Sequence, residues 1–445
     1  MTYARWREDG FDKSFVAAQL AKTFSASPAG GLQYSAETLL LGEPLVLLET
    51  GVEFRDPLSQ PPLSISDTDR SMILHRAVEA ALKSKDYSQS VLIREINEAT
   101  RDFVRSPGIK YVVATDLSFN HFEDISRIEN PGYRLYVRRQ LPRHLAGARE
   151  EATQRTRRSI GGVYSEYTSF QQYAAAWIHV RGRSPHEAMD LAVEALDLRR
   201  GIWNYLFNTG IVTTYPPPLR GPINEVLGGP LYSLHREDGA LAVGFDWIDP
   251  AYTGSQLSHK LQEKWPRVLE EEKKVNVLLK RSPYRSTLED ALRRYCRALD
   301  LVDLSRAFLE LWGLLETLTG ISPQDRHDTV VKRATFIWAD KERKTHEQVL
   351  HHLRRYRNSY VHAGEGSPRA GAYVHQLRLY VQQMLYFHLH HSRYFSSMNR
   401  AARFLNLPHE ARDLEVLIKK REREAREATE AARLAREGLR FRKGE

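Results

Sequence analysis

Arg357, Asn358 and His362 place a permanent cation, an amide and an imidazole within six positions of each other, flanked by Tyr356 and Tyr360. Arg357 holds its charge at any working pH, and its planar fork fits the oxygens of a phosphorane better than an ammonium would. The imidazole of His362 can move a proton beside that phosphate. These are the groups that hold a phosphodiester and shuttle protons around it, and the combination suggests RNA cleavage.

A helix must position them. Helical patterning from about His346 sets Asn358 and His362 four residues apart on one face, with Arg357 offset to its flank. Gly364 is placed to end that helix in a left-handed cap. His362 then falls in the last turn, where the negative end of the helix dipole favours imidazolium, a competent general acid. Spacing alone does not single out the pair: Arg70 to His75, Arg139 to His144 and Arg181 to His186 repeat it, and Arg369 to His375 is one residue longer. Only Arg357 is followed by Asn, lies late in a helix, and has an amphipathic helix upstream over 305–318, ending near Gly320.

Arg-Asn followed by three residues and His resembles the signature of HEPN domains. The surrounding sequence, over residues 284–395, resembles the Apea-like branch of that family, with 305–318 similar to the first long helix of its bundle. The resemblance implies an all-α bundle that dimerises and brings two Arg/His pairs into one cleft, cutting RNA with no metal or other cofactor. The RNA's own 2′-hydroxyl would attack the adjacent phosphate, leaving a cyclic phosphate and a 5′-hydroxyl. It further implies a toxin or antiviral effector. On this reading Arg357 clamps the transition state, Asn358 orients its partners, and His362 is the acid or base.

Glu316, on a face with Trp312, Leu315 and Thr319, is expected to hold Arg357 in place, with Glu310 as the lesser candidate. Tyr356 and Tyr360 are candidates to stack on bases near the cut, but their four-residue spacing favours a packing ridge. The alternative to catalysis is a HEPN-fold module that binds RNA or protein. His388 and His391 are three residues apart and invite a metal, but Tyr380, Leu385, Tyr386 and Phe387 around them read as a packed helix, so core or interface histidines and no metal are expected.

A chain of 445 residues exceeds what one core usually serves, and 42% hydrophobic content allows a core in each of two or three domains. The net charge of +9 suits an acidic polymer, with tRNA or mRNA as the expected partner. One cysteine, Cys296, allows neither an intrachain disulfide nor a thiolate zinc cluster, which fits a reducing, cytoplasmic setting. The most apolar run, residues 39–48, is broken by Glu43 and Pro44 and falls short of the ~20 residues that span a bilayer, so no membrane is expected. No phosphate-loop pattern and no Gly-flanked serine elbow occurs.

Residues 1–255 read as an α+β sensor or regulatory region, open to division near residue 107, that would receive a protein or phage-derived trigger. In it we expect irregular or short-strand material over 34–54, helices over 69–83, 90–104 and 142–158, and strands over 111–119, 133–137 and 174–180. A capping box at Ser184 and Glu187 opens a helix to about Phe207, and a hairpin joins 231–235 to 240–247. The HEPN-like bundle follows over 265–408, then a charged helical tail over 409–445.

Overall fold

Strand-forming apolar runs set among helices up to residue 249, and helical repeats alone beyond residue 261, build different packing units. The computed structural model describes residues 2–8, 12–26, 32–34, 43–57, 65–118, 125–130, 132–160, 173–208, 221–249, 261–321, 325, 328–364, 366–408 and 411–441. The chain divides into two compact units, Met1–Leu196 with Val226–Gln262, and Asp197–Glu225 with Glu263–Glu445.

The first unit opens with β1 (Ala4–Trp6), α1 (Lys13–Thr23), β2 (Phe24–Ala26), β3 (Leu32–Tyr34), α2 (Glu43–Gly51) and β4 (Val52–Phe54). β1 pairs with β4 and β2 with β3, both antiparallel. Helix α2 corrects the expectation of irregular or strand structure over 34–54. Pro44 lies in its first turn, where a missing N–H breaks no helical bond, and Leu48 is fully buried. Residues 39–42 of the apolar run lie outside the described residues. α3 (Asp67–Ser84) starts where Ser66 Oγ accepts from Asp69 N at 3.0 Å. Its Ile73, Leu74, Ala77, Val78 and Ala81 share a core with Val91, Leu92 and Ile96 of α4 (Gln89–Arg105).

A six-stranded sheet follows, made of β5 (Ile109–Leu117), β6 (Ile125–Asn130), β7 (Tyr133–Arg138), β8 (Ala174–Gly182), β9 (Leu231–Arg236) and β10 (Trp247–Ile248). Its order is β10-β9-β5-β8-β7-β6, with antiparallel neighbours throughout. Phe119, at the end of the strand expected over 111–119, lies outside the described residues. α5 (Arg143–Ile160) lays Leu145 on Val112, Ala114 and Trp177. From the same helix Arg149, almost fully buried, reaches Asp116 Oδ2 at 2.8 Å and Ser233 Oγ at 3.2 Å. The hairpin expected between 231–235 and 240–247 forms: Arg236 N donates to Ala240 O and Ala242 N to Leu234 O, both at 2.8 Å, Leu241 bridges His235, and Trp247 and Ile248 pair with Tyr232 and Leu231. The return segment is also held through Asp246, which accepts from Arg155 of α5 at 2.9 Å.

α6 (Pro185–Phe207) begins as expected, with Ser184 Oγ accepting from Glu187 N at 2.9 Å and Glu187 reaching back to the Arg183 N–H. It starts in the first unit and ends in the second. Residues 197–225 were expected in the α+β region; they belong with the helices because Leu198, Ile202 and Tyr205 extend the apolar stripe of α6 into the bundle core.

The second unit continues with α7 (Leu261–Arg281), α8 (Arg285–Asp300), α9 (Leu304–Leu318), α10 (Thr329–Thr335), α11 (Asp340–Ala363), α12 (Ala370–His391), a 3-10 turn (Ser392–Tyr394), α13 (Met398–Phe404) and α14 (Ala411–Phe441). On α9, Asp303 Oδ1 accepts from Ser305 N and Arg306 N at the N-terminus. Ala307, Phe308, Leu311, Leu314, Leu315 and Leu318 recur at helical spacing and are fully buried. They pack with Val374, Leu377, Val381 and Leu385 of α12 in one core. α14 is exposed from Ile418 to Leu434. No helix among the described residues is long and apolar enough to cross a membrane.

Candidate functional site

α11 turns Leu350, Leu353 and Tyr356 into the core. Steps of three and four residues leave Lys341, Lys344, Gln348, His352, Arg355, Asn358 and His362 on the exposed side. At 1.5 Å per residue this stripe is roughly 30 Å long. It carries cations, imidazoles and amides and no carboxylate. Of these, sequence reasoning singled out only Asn358 and His362; the rest were legible in the same spacing, extended backwards along the helix.

Gly364 ends α11 as expected, in the left-handed region at φ 67° and ψ 12°, its N–H donating to Tyr360 O at 3.0 Å. A residue bearing Cβ is strained there. The cap leaves His362 in the last turn, exposed and one turn beyond Asn358. Arg357 is half-buried on the flank, and its Nη1 donates to Asn358 Oδ1 at 3.3 Å. That hydrogen bond draws the guanidinium toward the exposed edge that also carries His362.

Of the supporting assignments, that of Glu316 changes, and Tyr356 takes the packing role its spacing favoured. Glu316 Oε1 accepts from Trp312 Nε1 at 2.8 Å, one turn away on the same helix. Among the described residues no carboxylate forms an ion pair with Arg357. Glu316 therefore fixes an indole rather than the guanidinium, and Glu310 is exposed. Tyr356 is 8% exposed, its hydroxyl 3.0 Å from Ser305 Oγ and its ring 4.9 Å from Phe308 and 4.8 Å from Tyr373. No ring face is left for a base, so Tyr356 belongs to the packing of the bundle. Tyr360 is half-buried, with its ring 6.3 Å from Tyr356.

His388 is fully buried, and both ring nitrogens are taken: Nδ1 lies 3.0 Å from Tyr284 OH, and Nε2 lies 2.7 Å from Leu318 O. A carbonyl only accepts, so Nε2 carries the proton and the phenol donates to Nδ1. His391 is exposed on the last turn of α12. Burial pushes the His388 pKa down to about 4, against the opposite pull of the Leu318 carbonyl. The unfolded chain therefore takes up this proton first. The stability His388 confers is complete above its ordinary value near 6.5 and is lost as pH falls toward 4. The loss expected is about 3 kcal/mol. Urea unfolding of wild type and His388→Gln across that window checks it: the variant should show a shallower fall in stability with pH.

The arrangement can grip a phosphate with Arg357, steady it through Asn358, and give or take a proton at His362, with a cationic stripe leading up to them. Among the described residues no group of three His, Cys, Asp or Glu is placed to hold a metal ion. Comparison with known proteins finds no family model, no curated protein and no solved structure that matches this chain.

Proposed function

We propose that the protein is an endoribonuclease of the HEPN type, with its reacting groups at the C-terminal end of α11. The observation that carries this reading is the hydrogen bond from Arg357 to Asn358 at 3.3 Å beside the exposed His362. It gathers a fixed cation, an amide and an imidazole on one edge of a capped helix. The Arg-Asn-three-residues-His pattern and its resemblance to the HEPN signature support the same reading.

In the proposed reaction the substrate's 2′-oxygen bonds to phosphorus and the bond from phosphorus to the 5′-oxygen breaks. One proton leaves the 2′-hydroxyl and one reaches the departing 5′-oxygen. His362 performs one of these transfers, and the corresponding group of a second copy, brought close by dimerisation through the bundle, is suited to the other. Arg357 binds the charge that accumulates on the phosphorane oxygens, where a preorganised donor contributes most. The first unit then serves as the receiver of a protein or phage-derived trigger, and the enzyme as a cytoplasmic toxin or antiviral effector acting on tRNA or mRNA.

Metal-free incubation of wild type, Arg357→Ala and His362→Ala with total RNA and defined tRNAs tests this. Cyclic-phosphate ends made by wild type alone support it. RNA binding without product in any sample, in EDTA or magnesium, favours the non-catalytic module. The exposed stripe makes a separate prediction. Lys344→Glu with Arg355→Glu should weaken RNA binding and flatten the dependence of log affinity on log salt by about one for each phosphate that is no longer neutralised. Fluorescence anisotropy over a salt series measures that slope.

A further inference from the structure

The sheet of the first unit carries a second surface with nucleic-acid chemistry, built by register. Cross-strand pairing sets Tyr136 of β7 beside Trp177 of β8, Arg134 beside His179, and Arg138 beside Ala175. β5 joins the same rows, with Ala114 beside Trp177, Val112 beside His179, and Lys110 beside Arg181. Side chains alternate along a strand, so Arg134, Tyr136 and Arg138 share one face with Trp177, His179 and Arg181.

That is the face α5 covers over β5 and β9, through Leu145 on Val112 and Ala114 and through Arg149 at Asp116 and Ser233. The cover reaches Trp177, which is buried. Beyond it Arg134, Arg138 and Arg181 are exposed, while Tyr136 and His179 are half-buried. Tyr136 lies against Trp177 with ring centroids 5.2 Å apart and planes within 7°. The Arg138 guanidinium stands 5.9 Å from the centre of the Trp177 ring. The ring and its neighbouring cation are thus held before anything binds. Of the acidic residues nearby, Glu237 pairs with Lys110 at 2.9 Å and Asp116 with Arg149 at 2.8 Å, while Glu129 of β6 stands opposite Arg134 by register.

We propose that this open face is a platform for single-stranded nucleic acid, with Tyr136 receiving a base and Arg138 and Arg181 receiving phosphates. Arg134 and Arg138 flank Tyr136 at about 6.7 Å on either side along β7. An acidic peptide would satisfy the arginines but has no aromatic face to offer Tyr136, whereas every base does. Duplex hides its base faces, so the same surface discriminates against it. The inference concerns binding in the first unit and does not depend on cleavage at α11.

The test is fluorescence anisotropy of the full-length protein with labelled oligouridylate of about 12 nucleotides, a length within the range single binding folds occupy. The stripe variant Lys344→Glu with Arg355→Glu serves as background, so that binding at α11 is already weakened. Tyr136→Leu, which keeps apolar contact with Trp177, should lower affinity about 5- to 100-fold. Arg138→Glu with Arg181→Glu, both exposed, should lower it further and reduce the salt slope. Duplex of the same length should bind more weakly than the single strand. Unchanged affinity in both variants overturns the proposal, as does equal affinity for duplex. So does binding by the background protein weaker than about 100 μM, the weak limit of non-specific association. Cyclic-phosphate ends report on α11 separately, so either site can fail without the other.

Discussion

His362→Ala is expected to lower the rate of RNA cleavage by about 10²- to 10⁴-fold, the range a positioned general acid or base supplies. Arg357→Ala should cost about 10²- to 10³-fold, the usual loss when one donor to a developing oxyanion is removed. His362 is exposed and Arg357 half-buried. Both variants should therefore unfold within about 0.5 kcal/mol of wild type, as surface substitutions usually do. Arg357→Lys keeps the charge but loses the planar fork and should recover only part of the rate. End-mapping of the products, with circular dichroism melts of the same preparations, separates chemistry from stability. A folded His362→Ala protein that cuts at the wild-type rate would remove His362 from the mechanism.

Glu272→Ala should be the most damaging single change to stability, at about 3 kcal/mol or more, the range for removing one partner of a buried ion pair. Glu272 Oε1 accepts from Arg199 Nη1 at 2.7 Å, and Oε2 accepts from Trp203 Nε1 at 2.9 Å. Arg199 is only 2% exposed. It keeps Asn276 Oδ1 at 3.0 Å, which moderates the loss without replacing the charge. Glu272→Gln retains an acceptor for the indole and should lose less. Guanidinium unfolding of both variants measures the difference, and equal midpoints would show that hydrogen bonding, not charge, holds the pair.

Strongly periodic elements were legible in the sequence. α3, α4 and α9 bury apolar residues at helical spacing, and β5 and β8 are apolar runs at the centre of a sheet. The Gly364 cap was legible too, because a glycine after a helical pattern carries its own conformational preference. What escaped depends on distant partners. The four-residue spacing of Tyr356 and Tyr360 pointed to packing, but the partners of Tyr356, Phe308 and Tyr373, reach it from two other helices, and no local pattern names them. Glu316 was expected to reach across to another helix, whereas Trp312, four residues away on its own helix, supplies a donor at lower entropic cost. The grouping of Tyr136, Arg138 and Arg181 is set by register between strands far apart in the chain. Of the candidate site, the residue types and their helical face were legible, while the hydrogen bond that draws Arg357 to Asn358 required coordinates.

α6 also sets the order in which the chain becomes able to fold during synthesis. It supplies Leu198, Ile202 and Tyr205 to the bundle core, yet β9, the sheet neighbour of β5, comes only after it. A nascent chain that has just released α6 thus carries an apolar stripe whose partners in α7, α8 and α9 are still unmade, beside a sheet whose β5 edge awaits β9. Translation of this protein passes through an interval in which the sheet lacks β9 and β10 and the bundle core lacks α7, α8 and α9, and a chaperone that shields apolar helices has its clearest target there.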